Sequence, residues 1–233
     1  MKKLLAAAKY LTIWNRITGL QPAPETTGAA AFFFPLVGLV LGLLLATTNY
    51  LLAVYLDPEI LSIALITTLI IATGGIHLEG LKHTCDSTAA TTAVPRGNET
   101  LGFVAIVLVI LFKIGAADSM DEKLAVSLLL TPVFARWALV IFIYGAHDRC
   151  EEIPRRITEN VKLWHLVVTT AATLGLAVYF LGRRGLWIGL SLSLFTLLTR
   201  TLLHRRQAVL THDNFGAVIE LGEAFSLILL ASL

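Results

Sequence analysis

The sequence predicts an all-α, polytopic membrane protein: a helical bundle of about seven transmembrane helices preceded by a short amphipathic helix. Three observations carry this expectation. Hydrophobic residues make up 56% of the 233-residue chain and charged residues only 15%, against about half and about a quarter in soluble domains. Apolar runs near the ~20 residues that a helix needs to cross a bilayer recur along the whole length. Trp14, Trp164 and Trp187 fall near the ends of runs, where interfacial aromatic belts form, although Trp137 lies deeper in its run.

The elements follow in order. Residues 1–16 place Lys2, Lys3, Lys9 and Arg16 among Leu4, Leu5, Tyr10, Leu11 and Trp14, the pattern of a helix lying on the membrane surface rather than of a cleavable leader. Seven spans are expected at about 31–56, 58–76, 103–117, 124–146, 163–181, 186–203 and 215–232. The third is short and carries Lys113, which calls for tilt, shielding by neighbours or extension at its N-terminal end. Gly38 and Gly42, and likewise Ala171 and Gly175, are spaced for close helix packing. The chain reads as one integral-membrane domain over residues 1–233, with no internal repeat. Cys85 and Cys150 form neither a disulfide framework nor a metal-knuckle spacing and read as reduced thiols. A net charge of +2 is too small to argue for nucleic acid.

The basic residues set the orientation. With the N-terminus inside, the inside segments carry Lys2, Lys3, Lys9, Arg16, Lys82, Arg96, Arg149, Arg155, Arg156, Lys162, Arg205 and Arg206, while the outside loops carry only Lys123, Arg183 and Arg184. That bias follows the positive-inside rule. It puts the polar segments 77–100, 147–162 and 204–214 on the cytoplasmic side of a cytoplasmic (inner) membrane.

Chemistry is expected in those segments. In IATGGIHLEGLKHTCDS, a second span continued past its glycines would set Glu79, His83 and Asp86 at i, i+4 and i+7, on one helical face. Two carboxylates and an imidazole on one stripe can bind a divalent cation, and the imidazole widens the choice from Mg²⁺ to Mn²⁺, Fe²⁺ or Zn²⁺. Ordinary interfacial charges are the plainer alternative. His77 points elsewhere, with a substrate phosphate as one possible target. Near the end of the chain, His212 and Asp213 precede the last span, where Asp213 could cap the helix or ligate a metal, and Glu220 and Glu223 lie inside it. Arg136, within a span, needs a carboxylate or a bound anion; Glu220 or Glu223 could serve. In the mixed-charge loop after that span, Arg149 is the candidate phosphate contact, because guanidinium matches phosphate in a bidentate fashion. Cation plus phosphate at the cytoplasmic surface fits metal-assisted phosphoryl transfer.

These residues resemble the cobalamin synthase family, the adenosylcobinamide-GDP ribazoletransferases. The family segment G-G-x-H-L-D-G-L-A-D-x-x-D-G corresponds to GGIHLEGLKHTCDS, the late G-D-x-x-G-A-x-x-E-L-G-E to HDNFGAVIELGE, and the early F-P-L-V-G-x-x-x-G to FPLVGLVLG within residues 33–42. The motifs keep their order across nearly the whole chain. The resemblance implies Mg²⁺-dependent transfer of the cobinamide phosphate group from adenosylcobinamide-GDP to α-ribazole or its 5′-phosphate, with release of GMP. It implies that Glu79, His83 and Asp86 take the places of the metal-binding acidic triad. His77 then matches the family histidine, Asp213 the late aspartate, and Glu220 and Glu223 the late glutamates. Arg149, and with it Arg136, would contact the diphosphate, with Glu220 and Glu223 grouped with them on the substrate side. His77, Asp213 and His212 are the candidates for the base.

The departures are specific. Two expected aspartates are Glu79 and His83, Ser87 replaces a glycine, and His212 replaces another. The Asp-Ser pair that follows the triad in the family has no counterpart in AVPRGNETLG, where Arg96, Asn98 and Glu99 are the candidates for its place. A neutral imidazole for a hard oxygen donor lowers the expected Mg²⁺ affinity. A non-catalytic corrinoid-binding or assembly subunit, a divergent transferase on another nucleotide-activated diphosphate and a small transporter therefore stay open at this point, as does a homo-oligomer.

Overall fold

The computed structural model describes residues 2–19, 22–90, 100–121, 123–146 and 149–232. The candidate residues Arg96, Asn98 and Glu99 lie outside them. Twelve α-helices, and no named strand, are found among the described residues: α1 (Lys2–Leu11), α2 (Trp14–Thr18), α3 (Pro24–Ala29), α4 (Phe34–Leu52), α5 (Pro58–Thr73), α6 (Ile76–Ala90), α7 (Thr100–Asp118), α8 (Leu124–Ile143), α9 (Glu152–Thr158), α10 (Leu163–Leu181), α11 (Arg183–Arg206) and α12 (His212–Ala231). Six of these helices are long and apolar enough to cross a membrane: α4 with the 3₁₀ turn before it, α7, α8, α10, α11 and α12. The bent pair α5–α6 brings the number to as many as seven. The protein is an all-α, polytopic membrane bundle.

Sequence explains where the helices start and stop. Pro24 and Pro58 stand in the first turns of α3 and α5, where a missing N–H costs nothing. Gly74 ends α5 in the left-handed region, at φ 65°. Gly75 follows at φ 67°, and α6 leaves at 87° to α5. The second span, expected at 58–76, ends at its glycines as α5, and the residues beyond them form a separate helix instead of continuing it. Glu79, His83 and Asp86 keep their i, i+4, i+7 spacing, but on a helix of its own. The third span is longer than expected, extended at its N-terminal end to Thr100. The last begins three residues early, because the side chain of Asn214 accepts the Thr211 N–H at 2.7 Å and closes the first turn. Thr211 is thus the cap, and Asp213 lies within the helix.

The centre of the bundle is α8. It is 83% buried along its span, against 22% for α10 and 28% for α11. Gly38 and Gly42 of α4 make its closest contact. A Cβ at Gly38 would stand 2.4 Å from the Pro132 carbonyl oxygen, and one at Gly42 2.2 Å from that of Leu129. Gly175 of α10 has open space around it, so the Ala171–Gly175 pair seats no neighbour among the described residues.

The N-terminal segment is more than a surface helix. Ala7 and Leu11 are fully buried, and Tyr10 stacks on Phe34 with ring centroids 5.9 Å apart. The Ile13 N–H donates to the Ala72 carbonyl at 3.0 Å, seating the segment in the elbow between α5 and α6.

Gly42→Val is expected to lose at least about 1–3 kcal/mol of stability through overpacking against backbone, read as a lower melting temperature in detergent. Gly175→Ala, which meets nothing, is expected to leave that temperature unchanged or slightly raised.

Candidate active site

A polar cavity of about 710 Å³ opens at the end of the bundle where α12 begins. Glu79 and His83 of α6 and His212 and Asp213 of α12 form one wall, and Arg16, Arg156 and the segment 22–27 form the other. Two glycines make the first wall. A Cβ on Gly80 would stand 2.7 Å from the Asp213 carbonyl oxygen, and one on Gly216 3.2 Å from the His77 Cα. With no side chains between them, α6 and α12 meet backbone to backbone. Their polar residues therefore share one surface.

On that surface His83 Nδ1 lies 3.4 Å from an Asp213 carboxylate oxygen. Glu79 accepts from Arg16 at 2.6 Å. Across the cavity Arg156 donates to Glu25 at 2.7 Å. The Glu25 carboxyl is held below the usual range by a hydrogen bond from its own backbone N–H and by Arg156.

Asp86 is placed differently from its two triad companions. One carboxylate oxygen accepts from Lys82 at 2.9 Å and the other from the Gly102 N–H at 2.8 Å. It ties α6 to the first turn of α7, where an acidic group complements the helix dipole. Among the described residues no three His, Cys, Asp or Glu side chains are gathered as a preformed metal cluster. Two members of the expected triad, Glu79 and His83, share the cavity with Asp213. Carboxylate and imidazole are donor types for a divalent cation, but these three are not drawn together around one point.

His77 is buried, with Nε2 3.3 Å from the Leu11 carbonyl oxygen. It lines a small pit of about 30 Å³ with Tyr10, Gly80, His212, Asp213 and Gly216. Tyr10, which the sequence offered only as part of an amphipathic face, meets His212 edge-on at 5.4 Å. Its buried hydroxyl has no partner among the described residues. Burial pushes that phenol well above its ordinary pKa, so it remains a proton donor.

Arg136, Glu220 and Glu223 lie apart from this surface, buried between helices. Arg136 of α8 pairs with Glu223, and Lys113 of α7 reaches Glu220 and Glu223 at 2.5 Å each. The charges balance two against two. Partnership with the late glutamates, the simpler alternative for Arg136, is the arrangement found. Lys113 is the member that sequence reasoning left without a partner. Matching two intramembrane cations with two intramembrane carboxylates would have found it. Arg149 lines neither the large cavity nor this network; it faces a separate cavity with Arg200, His204 and Arg205.

Lys113→Met is expected to cost about 3–5 kcal/mol, because it strands a buried carboxylate. Adding Glu220→Gln is expected to restore most of the loss. Thermal unfolding of the single and double variants in detergent reads both effects.

Comparison with known proteins gives the family. The profile of the cobalamin-5-phosphate synthase family matches residues 3–231. An adenosylcobinamide-GDP ribazoletransferase of Geotalea daltonii is 32% identical, covering 100% of this chain and 98% of its own length. Proteins of the same name from Pseudomonas paraeruginosa and Pseudomonas fluorescens are 33% and 31% identical, over 99% and 89% of this chain and 98% and 89% of theirs. No solved structure matches. A profile match from residue 3 to residue 231, with relatives aligned over nearly their full lengths, means that this chain belongs to the cobalamin-5-phosphate synthase family.

Proposed function

We infer that the protein is an adenosylcobinamide-GDP ribazoletransferase, joining the cobinamide phosphate group to α-ribazole or its 5′-phosphate and releasing GMP in cobalamin biosynthesis. Family membership over the whole chain supports the activity. The observation that carries its location is the 710 Å³ cavity, where Glu79, His83 and Asp213 face Arg16 and Arg156. Its volume lies within the ~300–1,000 Å³ of small-molecule sites. It suits the diphosphate and nucleoside end of the substrate, with the larger macrocycle beyond its mouth. The face carrying the cavity is assigned to the cytoplasm, since most of the chain's Lys and Arg outside the spans belong to that face.

In the reaction, the acceptor hydroxyl attacks the cobinamide-side phosphorus in line, and the P–O bond to GMP breaks. The hydroxyl proton passes to a base, and GMP leaves with the electron pair of the broken bond. Asp213 and His212 stand on the cavity wall for that proton, and His77 supports them from the pit behind. Arg16 and Arg156 offer guanidinium groups to the diphosphate once their carboxylate partners exchange them. Glu79, His83 and Asp213 would supply donors to the Mg²⁺, or Mn²⁺ given the imidazole. When bound, that ion neutralises charge on the diphosphate. Asp86 contributes by fixing α6 against α7.

The test is acceptor-dependent GMP release from adenosylcobinamide-GDP by purified, detergent-solubilised protein, with Mg²⁺ and Mn²⁺ compared. Asp213→Ala is expected to lower turnover by at least about 10²-fold, the scale of losing one charge-stabilising group on a transferring phosphoryl. Chelation of the divalent ion is expected to abolish release. Full turnover by the Asp213→Ala protein would exclude this cavity as the reaction site, and folded wild-type protein inactive with every acceptor and metal would overturn the activity.

A further inference from the structure

A second cavity, of about 410 Å³, lies where the C-terminal ends of α8 and α11 meet, and it shares no lining residue with the first. Arg149, Arg200, Thr201, His204 and Arg205 line it together with the backbone turn at Gly145 and Ala146. No carboxylate lines it among the described residues. Two backbone devices build it. The Arg200 guanidinium donates to the Tyr144 and Gly145 carbonyls at 2.7 Å each, which neutralises the exposed end of α8. A parallel bridge then joins the chain after α8 to the chain after α11: the Leu210 N–H donates to the Arg149 carbonyl at 2.7 Å and the Glu151 N–H to the Leu210 carbonyl at 3.0 Å. That bridge sets Arg149 beside His204 and Arg205.

Arg200 is committed to the end of α8, but the other two arginines are not. Arg149 and Arg205 form no side-chain hydrogen bond or ion pair among the described residues. His204 Nδ1 is buried without a partner among the described residues. Helix-dipole complementation accounts for basic residues at the end of α11, but not for Arg149, which comes from a different segment. The surroundings identify the ligand. Leu194, Leu198 and Leu202 are 58%, 54% and 58% exposed on a bilayer-spanning helix. They form an i, i+4, i+8 stripe that leads to Thr201 and Arg205 at the cavity. An acyl chain lying along this stripe brings its headgroup to the two free guanidinium groups.

We propose that this cavity is a binding site for the phosphate of an anionic membrane lipid, with Arg149 and Arg205 gripping the phosphodiester and Arg200 and His204 behind them. Basic pockets between helix ends are suited to such headgroups, and each arginine near the surface contributes about a fivefold gain in affinity.

Native mass spectrometry of the full-length protein, purified in detergent with equal phosphatidylglycerol and phosphatidylcholine, tests the proposal. Wild type is expected to retain phosphatidylglycerol preferentially. Arg149→Gln with Arg205→Gln is expected to reduce that retention by about 25-fold, and the double lysine variant to keep most of it. Arg206→Gln, outside the cavity, is expected to match wild type. Matching elution on size exclusion shows that each variant is folded. Equal retention by wild type and the folded double glutamine variant would overturn the proposal. A rise in melting temperature with inorganic phosphate, dependent on Arg149 and Arg205 and not reproduced by phosphatidylglycerol, would assign the cavity to a soluble anion and overturn the lipid assignment.

Discussion

The cost of an unpaired charge inside a membrane protein is the constraint on which this structure turns. Lys113, Arg136, Glu220 and Glu223 are each no more than 3% exposed. An isolated buried ion carries a penalty of several kcal/mol, and only close pairing offsets it. The two carboxylates sit one helical turn apart on α12, so α7 and α8 must present their cations at one height. That requirement fixes the register of three helices. Arg136 still has two buried guanidinium nitrogens without a partner among the described residues, so the network sets position more than it adds net stability.

The glycine contacts turn that register into a cavity wall. Gly80 and Gly216 let α6 lie flush on α12, which carries Glu79, His83 and Asp213 onto one surface. The elbow at Gly74 and Gly75 lets α6 lie there at all, since a straight continuation of α5 would point it along the bundle. The N-terminal segment completes the enclosure through Tyr10 and Arg16. The Arg16–Glu79 pair is about half exposed on both sides. Pairs of that kind contribute about 0–1 kcal/mol, so Arg16 can leave Glu79 at little cost.

Much of this was legible in the sequence, for physical reasons. Apolar run length gives the spans because lipid demands that backbone groups be satisfied within helices. The motif order gives the family. The fate of individual side chains was harder to read. Helical spacing placed Glu79, His83 and Asp86 on one stripe, and they are on one stripe. Spacing is silent about neighbours, and Lys82 and the Gly102 amide occupy Asp86. Sequence favoured Arg149 over Arg156 within one charged loop, but the bridge to Leu210 carries Arg149 to a separate cavity while Glu25 holds Arg156 at the main one. Tyr10 was hidden by its apolar ring. In each case the deciding contact comes from another element.

The network also has a consequence for biosynthesis. Lys113 and Arg136 are made before α10, α11 and α12, yet both of their carboxylate partners belong to α12. Until that last helix is translated, two cations on α7 and α8 enter the membrane uncompensated, at about 2.5–3.5 kcal/mol each on insertion scales. The nascent bundle therefore waits, incompletely closed, for its final helix. Delivery of α12 is the step that both neutralises the interior and completes the cavity wall with His212 and Asp213. Assembly and acquisition of the site become a single late event during synthesis.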